Sequence, residues 1–196
     1  MENALRSERS RNAVIQAALT IIGRDGPGRL TLDAIARESG LSKGGLTHQF
    51  RTKGAVLQAL LEYQIEYFAK FSRDYLQEID PAQPEPRLVS QIATLREIAI
   101  TRQQHSVAFA ILGALTDAPD LLSIIIERDT EAIEQIKAEA ADPDLALLRW
   151  AAARGLALTT LFRICPLSRE DRERLFDLLL DDQYWQHRAD PPKPGV

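Results

Sequence analysis

Apolar residues recur at intervals of three and four along most of this chain, and no segment alternates apolar with polar residues. Such spacing places apolar side chains on one face of an α-helix, whereas a half-buried strand requires alternation. The first series predicts a helix over about residues 7–24, and its members are Val14, Ala17, Ala18, Ile21 and Ile22. The pattern therefore predicts an all-α protein of about nine helices.

Residues typical of helix ends separate the predicted helices in the first half of the chain. The run Asp25-Gly-Pro-Gly28 breaks the chain after the first helix, Thr31 is a good N-cap for the second, and Gly40 is suited to end it. Ser42 caps a short third helix that reaches Phe50. A fourth helix is predicted over about residues 51–79.

The second half of the chain is punctuated in the same way. A linker with three prolines follows the fourth helix, and Cys165-Pro166 interrupts the chain again further on. Helices are predicted over about 87–102, 104–115, 119–141, 143–164 and 168–180. The last two begin after the N-caps Asp142 and Ser168. Residues 189–196 are predicted to form a frayed tail.

The charge is unevenly distributed. The 196 residues include 24 Lys and Arg against 28 Asp and Glu, a net charge of −4, yet residues 1–53 alone carry a net charge of +4. A basic first quarter on an acidic body suggests a polyanionic partner at one end. A chance scatter of charges over solvated helix faces is the alternative, and the modest excess does not decide between them.

Composition argues against several other classes of protein. Cys165 is the single cysteine, so no internal disulfide is expected. That cysteine and the three histidines lie far apart in the sequence, which disfavours a structural zinc site. The longest near-apolar stretch, 108–115, is well short of the roughly 20 residues that span a bilayer, and no secretory signal is visible. We therefore expect a cytoplasmic globular protein that needs no metal or cofactor.

Residues 31–53 predict a helix-turn-helix, in which two short helices meet at a tight turn that contains a glycine. Leu41 and Leu46 would pack against the first of these helices and fix the two axes. In such motifs the N-terminal part of the second helix, the recognition helix, meets base edges. The residues expected to contact DNA are Thr31, Ser42, Lys43, Gly44, Gly45, Thr47, His48 and Lys53.

Each of these residue types suits a particular contact with DNA. Lys43 can donate to guanine or phosphate, Thr47 offers a hydroxyl and a methyl group, and His48 offers ring donors. Lys53 stands at a predicted helix start, where unpaired backbone N–H groups and the positive charge together suit a phosphate. A solvated surface histidine is the alternative interpretation of His48.

This segment resembles the DNA-binding domain of the TetR family of transcriptional regulators. The resemblance is carried by LDAIARESG (32–40), LSKGGLTHQF (41–50) and RTK (51–53), and with the first helix it covers about residues 7–60. It implies a helix-turn-helix domain over 1–53 and a helical ligand-binding and dimerisation domain over 54–196. It also implies that an inducer reorients the fourth helix and spreads the two recognition helices of a dimer.

Two residues depart from the usual pattern of that family. Thr47 stands where the family usually has a tyrosine that touches the DNA backbone, and Gln49 replaces a common His or Tyr. Gly44 and Gly45 each cost about 1 kcal/mol of helix propensity relative to Ala. These glycines predict a pliable recognition helix that can approach the floor of the groove closely.

Other interpretations of single residues are weaker. Residues 40–44 match the G-x-S-x-G pattern of α/β-hydrolases, but that nucleophile elbow follows a strand and this segment follows a helix. Ser42 is therefore interpreted as an N-cap, and no catalytic residue is expected. His105 is interpreted as a core or rim residue. Cys165 is interpreted as a small buried hydrophobe, with a redox sensor as the alternative.

Two C-terminal helices predict a dimer. The helix that starts near Pro143 is apolar on nearly all sides, and a helix of that kind must be buried on all sides. One side can face its own core while the other pairs with a second copy in a four-helix bundle with the last helix. The residues expected at this interface are Leu147, Ala151, Leu158, Leu161, Phe162, Leu175 and Leu179. A well-packed monomer core is the alternative.

An effector pocket is predicted between the two ends of the chain. Aromatic side chains on the fourth helix could form apolar walls, and two arginines would suit an anionic group. The candidate ligand-binding residues are Tyr63, Tyr67, Phe68, Phe71, Arg96, Phe109 and Arg154. An ordinary core with snorkelling arginines is the alternative.

The sequence thus predicts a homodimeric, sequence-specific regulator of transcription rather than an enzyme. It predicts a repressor that binds double-stranded DNA at a near-palindromic operator and is released by a small-molecule effector. Two copies are needed because one short helix-turn-helix contacts too few bases to select a site. The alternative is an all-α ligand-binding or scaffold protein that has lost its affinity for DNA.

Overall fold

The computed structural model describes residues 2–114 and 121–189, and within them the side chains of 6–101, 106–112 and 122–185. In these ranges the chain forms ten α-helices and one short 3-10 turn, Pro27–Arg29, and no strand. The helices are α1 Glu2–Asp25, α2 Leu32–Ser39, α3 Lys43–Gln49, α4 Lys53–Glu78, α5 Pro86–Ile100, α6 Arg102–Ala114, α7 Leu121–Glu139, α8 Pro143–Leu161, α9 Arg169–Leu180 and α10 Asp182–Ala189. The all-α prediction is confirmed.

Several helix ends differ from the prediction. Helix α1 begins at Glu2 rather than near residue 7, since its polar first turn carries no apolar stripe by which periodicity could locate it. Helix α8 ends at Leu161, because Arg163 adopts a left-handed conformation with φ of 56°. Helix α10 was not predicted. The predicted helix boundaries at 115 and 119, the tail beyond 189 and the side chain of His105 lie outside the described residues.

The predicted N-caps are confirmed. At each one, a side-chain oxygen accepts a hydrogen bond from a backbone N–H two or three residues later, which satisfies a donor that the helix leaves unpaired. The caps are Thr31, Ser42, Asp142 and Ser168. Gly40 ends α2 with φ of 70°, a conformation that glycine adopts at little cost.

The chain divides into two compact units, each with its own core. One unit comprises Met1–Tyr67 and Arg102–Ile125, and the other comprises Phe68–Thr101 and Ile126–Val196. Helix α4 therefore contributes residues to both units. The first half of α4 and all of α6 lie in the same compact unit as the helix-turn-helix, and the functional domain boundary at 53 stays a prediction.

The core of the first unit is formed by α1, α2, α3, the first half of α4, and α6. The stripe predicted on α1 is buried there, and Leu30, Leu46 and Phe50 join it. Val107 and Ala110 of α6 pack into the same cluster. Burial of apolar surface on this scale stabilises the position of α3, which is too short to be stable alone.

The core of the second unit is formed mainly by α5, α8 and α9. Leu88 and Ile92 of α5, Ala153 of α8 and Phe176 of α9 are buried together. Arg149 is also inside this unit, with only 2% of the residue exposed. Its guanidinium donates hydrogen bonds to the carboxylates of Glu85 and Asp182, at 2.8 Å each, and to the backbone carbonyl of Leu179.

Candidate nucleic-acid interface

The helix-turn-helix is held together by a few buried apolar side chains. Leu46 of α3 and Ile35 of α2 are both fully buried, and Leu41 in the turn packs against the same cluster. Because α3 contributes its Leu46 to the core, the opposite side of the helix faces outward. The predicted packing of the two helices is confirmed.

The outward side of α3 carries the residues that the sequence predicted to contact DNA. Lys43, Gly44, Gly45 and His48 are exposed, and Thr47 is half-buried. These residues occupy the N-terminal and central part of the recognition helix, the part that approaches base edges in such motifs. The helix therefore exposes the ammonium group of Lys43, the imidazole of His48 and the backbone of the two glycines.

Lys43 already has a partner within the protein. Its Nζ lies 2.9 Å from Oδ1 of Asp33, in the first turn of α2. The hydrogen bond from Lys43 lowers the pKa of the Asp33 carboxyl below its usual range. Both side chains are more than half exposed, so the pair is accessible to a competing anion.

Thr47 uses its hydroxyl within the helix. The Oγ1–H donates to the backbone carbonyl of Lys43, at 2.9 Å. The hydroxyl proton is therefore not available for a hydrogen bond to a base. The hydroxyl oxygen can still accept a hydrogen bond, and the methyl group can contact a thymine methyl.

Gly44 and Gly45 differ in what an added Cβ would meet. At Gly44 a Cβ would have no neighbour within 4 Å, whereas at Gly45 it would lie 3.2 Å from Oγ of Ser42. The Ser42 hydroxyl accepts the N–H of Gly45, at 3.1 Å. A side chain at 45 would therefore crowd the cap that starts α3.

Of the remaining predicted contacts, Thr31 is the N-cap of α2 and Lys53 lies in the first turn of α4. The hydroxyl of Thr31 is exposed but accepts the N–H of Ala34, at 3.1 Å. Lys53 is the first residue of α4 and is exposed. Thr52 caps α4, because its hydroxyl accepts the N–H of Ala55, at 3.1 Å.

Two features of this surface were missed at the level of sequence. Arg51 is exposed in the turn between α3 and α4, and its position beside Lys53 could have drawn attention to it. Gln49, the last residue of α3, donates from Nε2 to the backbone carbonyl of Ser7 in α1, at 3.0 Å. No local pattern could have revealed that hydrogen bond, since its two residues lie 42 positions apart.

The candidate ligand-binding residues fall into both units. Tyr63, Tyr67 and Phe109 belong to the first unit and are exposed. The other four belong to the second unit, namely Phe68, Phe71, Arg96 and Arg154.

Both candidate arginines are in ion pairs. Arg96 lies 2.8 Å from Asp177, and Arg154 donates to Asp129 at 2.8 Å while its guanidinium lies over the ring of Trp150. An anionic ligand would have to compete with these carboxylates.

The candidate interface residues on α8 and α9 are not equally accessible. Leu158 and Ala151 are exposed, whereas Leu147, Leu161, Phe162 and Leu175 are half-buried. Leu179 is only 6% exposed, because it packs into the core of its own unit, so it is not available to a partner. Leu148, which is not among the candidate interface residues, is 62% exposed.

Two other kinds of feature are absent from the described residues. No group of three or more His, Cys, Asp or Glu side chains there is arranged to hold a metal ion. Within the same residues, no helix is long and apolar enough to cross a membrane.

Two family models match the chain. One, described as bacterial regulatory proteins of the tetR family, matches residues 14–60, and the other, described as a tetracyclin repressor-like C-terminal domain, matches residues 87–182. The HTH-type transcriptional regulator BetI of Serratia proteamaculans is 30% identical over 83 residues, which are 42% of this chain and 42% of BetI. The BetI of Yersinia pestis (strain Pestoides F) is 27% identical over 78 residues, 40% of this chain and 39% of that protein. The matched segment thus spans about two fifths of these relatives.

Solved structures match over nearly the whole chain. The multidrug binding protein EbrR, complexed with imidazole, has a TM-score of 0.63 and 22% identity, over 95% of this chain and 97% of EbrR. A member of the TetR family from Streptomyces coelicolor A3 has a TM-score of 0.66 and 22% identity, over 93% of this chain and 99% of that one. These likenesses establish the shared fold.

The two family models together cover nearly three quarters of the chain, and they include both the helix-turn-helix and the helices that follow it. The exposed recognition helix and the matched fold agree with them. This chain belongs to the tetR family of bacterial regulatory proteins.

Proposed function

We propose that this chain is a sequence-specific DNA-binding regulator of transcription, and specifically a repressor that a small molecule releases from its operator. The observation that carries the proposal is the surface of α3, where Lys43, Gly44, Gly45 and His48 are exposed on a helix anchored by the buried Leu46. A protein of this kind acts where the chromosome is, in the bacterial cytoplasm.

The proposed contacts follow from the chemistry of the exposed groups. Lys43 and His48 donate to base edges or phosphates, and Thr47 accepts from an exocyclic amine or contacts a thymine methyl. The two glycines let the backbone of α3 approach the groove without side chains in between. Lys53 and the N-terminal N–H groups of α4 bind a phosphate beside the groove.

A second copy of the chain is needed to read a whole site. Helix α8 offers it an apolar surface formed by exposed residues, of which Leu148 and Leu158 are large and Ala151, Ala152 and Gly155 are small. The small residues allow a second helix to approach closely. Exposed apolar side chains grouped on one helix favour contact with a protein partner. The twofold axis of such a dimer predicts a near-palindromic operator, with half-sites about one helical turn apart.

The effector is a small molecule that binds the DNA-free state more tightly than the DNA-bound state, since only differential affinity can shift the equilibrium. EbrR, which shares the fold, has been crystallised with imidazole, malachite green and ethidium. We propose that the aromatic and arginine residues predicted from the sequence contribute to effector binding. They are Tyr63, Tyr67, Phe68, Phe71, Arg96, Phe109 and Arg154.

The test is binding of the full-length protein to fluorescein-labelled duplexes, measured by fluorescence anisotropy. One duplex carries the DNA upstream of the protein's own gene, and the other is an unrelated sequence of equal length. Wild type should bind the upstream duplex more tightly at about 150 mM salt. A Lys43→Ala, Lys53→Ala double variant should lose at least tenfold in affinity, since charged contacts to DNA dominate binding.

The matched control removes two exposed lysines of the other compact unit. Lys70 and Lys137 belong to the second unit and pair with nearby acids on their own helices. A Lys70→Ala, Lys137→Ala variant should bind like wild type. Full binding by the Lys43→Ala, Lys53→Ala variant would refute the assigned surface, and no specific binding by wild type would favour a protein that has lost its affinity for DNA.

A further inference from the structure

We propose that Gln49 is a positioning residue that holds the first turns of α1, with Arg6 and Arg9, beside the recognition helix, where the two arginines contact DNA phosphates. The inference rests on the proposed DNA-binding function. It adds to the helix-turn-helix a second DNA-contacting element, formed by residues from the start of the chain.

The link between α1 and α3 is specific. Nε2 of Gln49 donates to the backbone carbonyl of Ser7 at 3.0 Å and lies 3.3 Å from the Ser7 hydroxyl. Gln49 is the last residue of α3, and Ser7 lies in the second turn of α1. The hydrogen bond therefore ties the beginning of α1 directly to the end of the recognition helix.

Stability alone does not account for this glutamine. Its other amide atom, Oε1, is buried and accepts no hydrogen bond from the described residues. A buried acceptor without a partner costs stability, so the side chain is not optimised for holding the fold together. The arrangement is better explained by the position that it gives to α1.

A second contact links the beginning of α1 to another helix. Arg11, one turn after Ser7, donates to Glu62 of α4 at 2.7 Å. The first turns of α1 are thus tied to α3 through Gln49 and to α4 through Arg11. Residues on these turns keep a fixed relation to the recognition helix, as a DNA-contacting element requires.

The charges on these turns suit a polyanion. Arg6 and Arg9 are exposed, and no ion pair with another described side chain engages either of them. Three residues apart, they are neighbours on the helix surface, whereas at 100° per residue Glu8 falls on the opposite flank from Arg6. Guanidinium groups bind phosphate oxygens through two parallel hydrogen bonds.

The test is the salt dependence of binding to a mixed-sequence 24-base-pair duplex, with the full-length protein and fluorescence anisotropy. Each phosphate contact contributes about 0.9 to the slope of log K against log salt. An Arg6→Gln, Arg9→Gln variant should lower the slope by roughly 1.8 per protomer, which is about 3.6 for the proposed dimer. Gln49→Ala should lower the slope toward the same value although both arginines remain. Combining all three substitutions should lower it no further.

The matched control is Arg128→Gln, Arg174→Gln, which removes two exposed arginines from α7 and α9 and makes the same change in net charge. It should leave the slope unchanged. A purely structural role for Gln49 would lower the melting temperature and leave the slope as in wild type, which would overturn the proposal. An unchanged slope in the Arg6→Gln, Arg9→Gln variant would overturn it as well.

The outcome separates this inference from the function on which it rests. If wild type binds the duplex with a steep salt dependence and the variants do not change it, the DNA-binding function stands and the role of α1 is wrong. If wild type does not bind DNA, both are wrong.

Discussion

Lys43 lies 2.9 Å from Asp33, so the cation at the start of the recognition helix is paired with a carboxylate of the preceding helix. Asp33 also stands in the first turn of α2, where the helix dipole favours a negative charge. A DNA phosphate that approaches α3 must therefore compete with the Asp33 carboxylate for the Lys43 ammonium group. In the proposed complex this pairing limits the affinity for DNA, and replacing Asp33 should remove that limit.

Asp33→Asn should tighten DNA binding. The substitution frees Lys43 for phosphate and removes a negative charge that repels the duplex, and the energy of an exposed pair of this kind is small. We expect a few-fold gain in affinity at low salt that fades at high salt, measured by anisotropy. Asp74→Asn, which removes a similar exposed carboxylate paired with Lys70, is the control and should change nothing. Equal or weaker binding by Asp33→Asn would contradict a role of Lys43 at the DNA.

The two glycines of α3 should respond differently to alanine. Gly44→Ala adds a methyl group that meets nothing within 4 Å, so it should raise stability by up to about 1 kcal/mol through helix propensity. Gly45→Ala should gain less or lose, because its Cβ lies 3.2 Å from the Ser42 hydroxyl. Urea unfolding followed by circular dichroism measures both. Equal gains in the two variants would mean that the cap adjusts without cost.

Leu148→Glu should break the proposed dimer. Leu148 is 62% exposed, so a charge there is tolerated in one chain but is buried between two. Light scattering after size exclusion should give a monomer, with weaker binding to a palindromic site. Ile100→Glu, which places the same charge on an exposed apolar residue at the end of α5, is the control and should remain dimeric. A dimeric Leu148→Glu would place the interface elsewhere.

Arg149→Met should destabilise the second unit strongly. The arginine is 2% exposed and serves both Glu85 and Asp182, so its loss leaves two largely buried carboxylates without a counter-charge. Breaking a buried ion pair by removing one partner costs about 3–5 kcal/mol. Thermal unfolding of the full chain measures the loss. A melting temperature close to that of wild type would show that water replaces the guanidinium.

Glu85 should make the stability depend on pH in a direction opposite to that of most paired acids. Burial raises the pKa of Glu85 above its ordinary value, against the smaller effect of the Arg149 charge, and the nearby carboxylates of Asp182, Glu139 and Asp142 raise it further. The native state then takes up this proton at a higher pH than the unfolded chain. The contribution of Glu85 to the free energy of unfolding is therefore fully present at pH values below its pKa in the unfolded chain. That contribution is lost as pH rises through its higher pKa in the native state.

Comparison with Glu85→Gln isolates this effect, since glutamine does not titrate. The unfolding free energy of wild type minus that of the variant should fall as pH rises from about 4 to about 7, a range that begins near the ordinary Glu pKa. Urea titrations at several pH values measure the difference. A difference that grows with pH would mean that the Arg149 charge outweighs burial.

Local features of the molecule could be predicted from residues close together in sequence. The caps at Thr31 and Ser42 each involve an oxygen and an N–H three residues apart, so the residue types alone indicate them. The same holds for Gly40, whose left-handed conformation ends α2. The helix-turn-helix, and the resemblance that it supports, depend on these short-range rules.

Contacts between distant residues could not be predicted in that way. In the sequence, Arg149 is a charged residue on a largely apolar helix, and nothing nearby identifies its partners. The packing of α5, α9 and α10 places Glu85 and Asp182 beside it. Leu179 was expected to face a partner and lies in its own core, whereas Leu148 was not among the expected interface residues and is 62% exposed. Gln49 was noted only as a departure from a family pattern, and the structure places it against Ser7.

The sequence by itself determined that the chain is helical, which residues cap several of its helices, which stripe of α1 is apolar, and that the basic residues are concentrated near the start. These properties depend on hydrogen bonds and periodicity within a few residues. Only the tertiary structure decided which polar groups are paired and which apolar faces remain exposed. The physical reason is that helical periodicity gives only the direction in which a side chain leaves the axis of its helix. Whether that side chain is buried or paired depends on which residues of other helices pack against it.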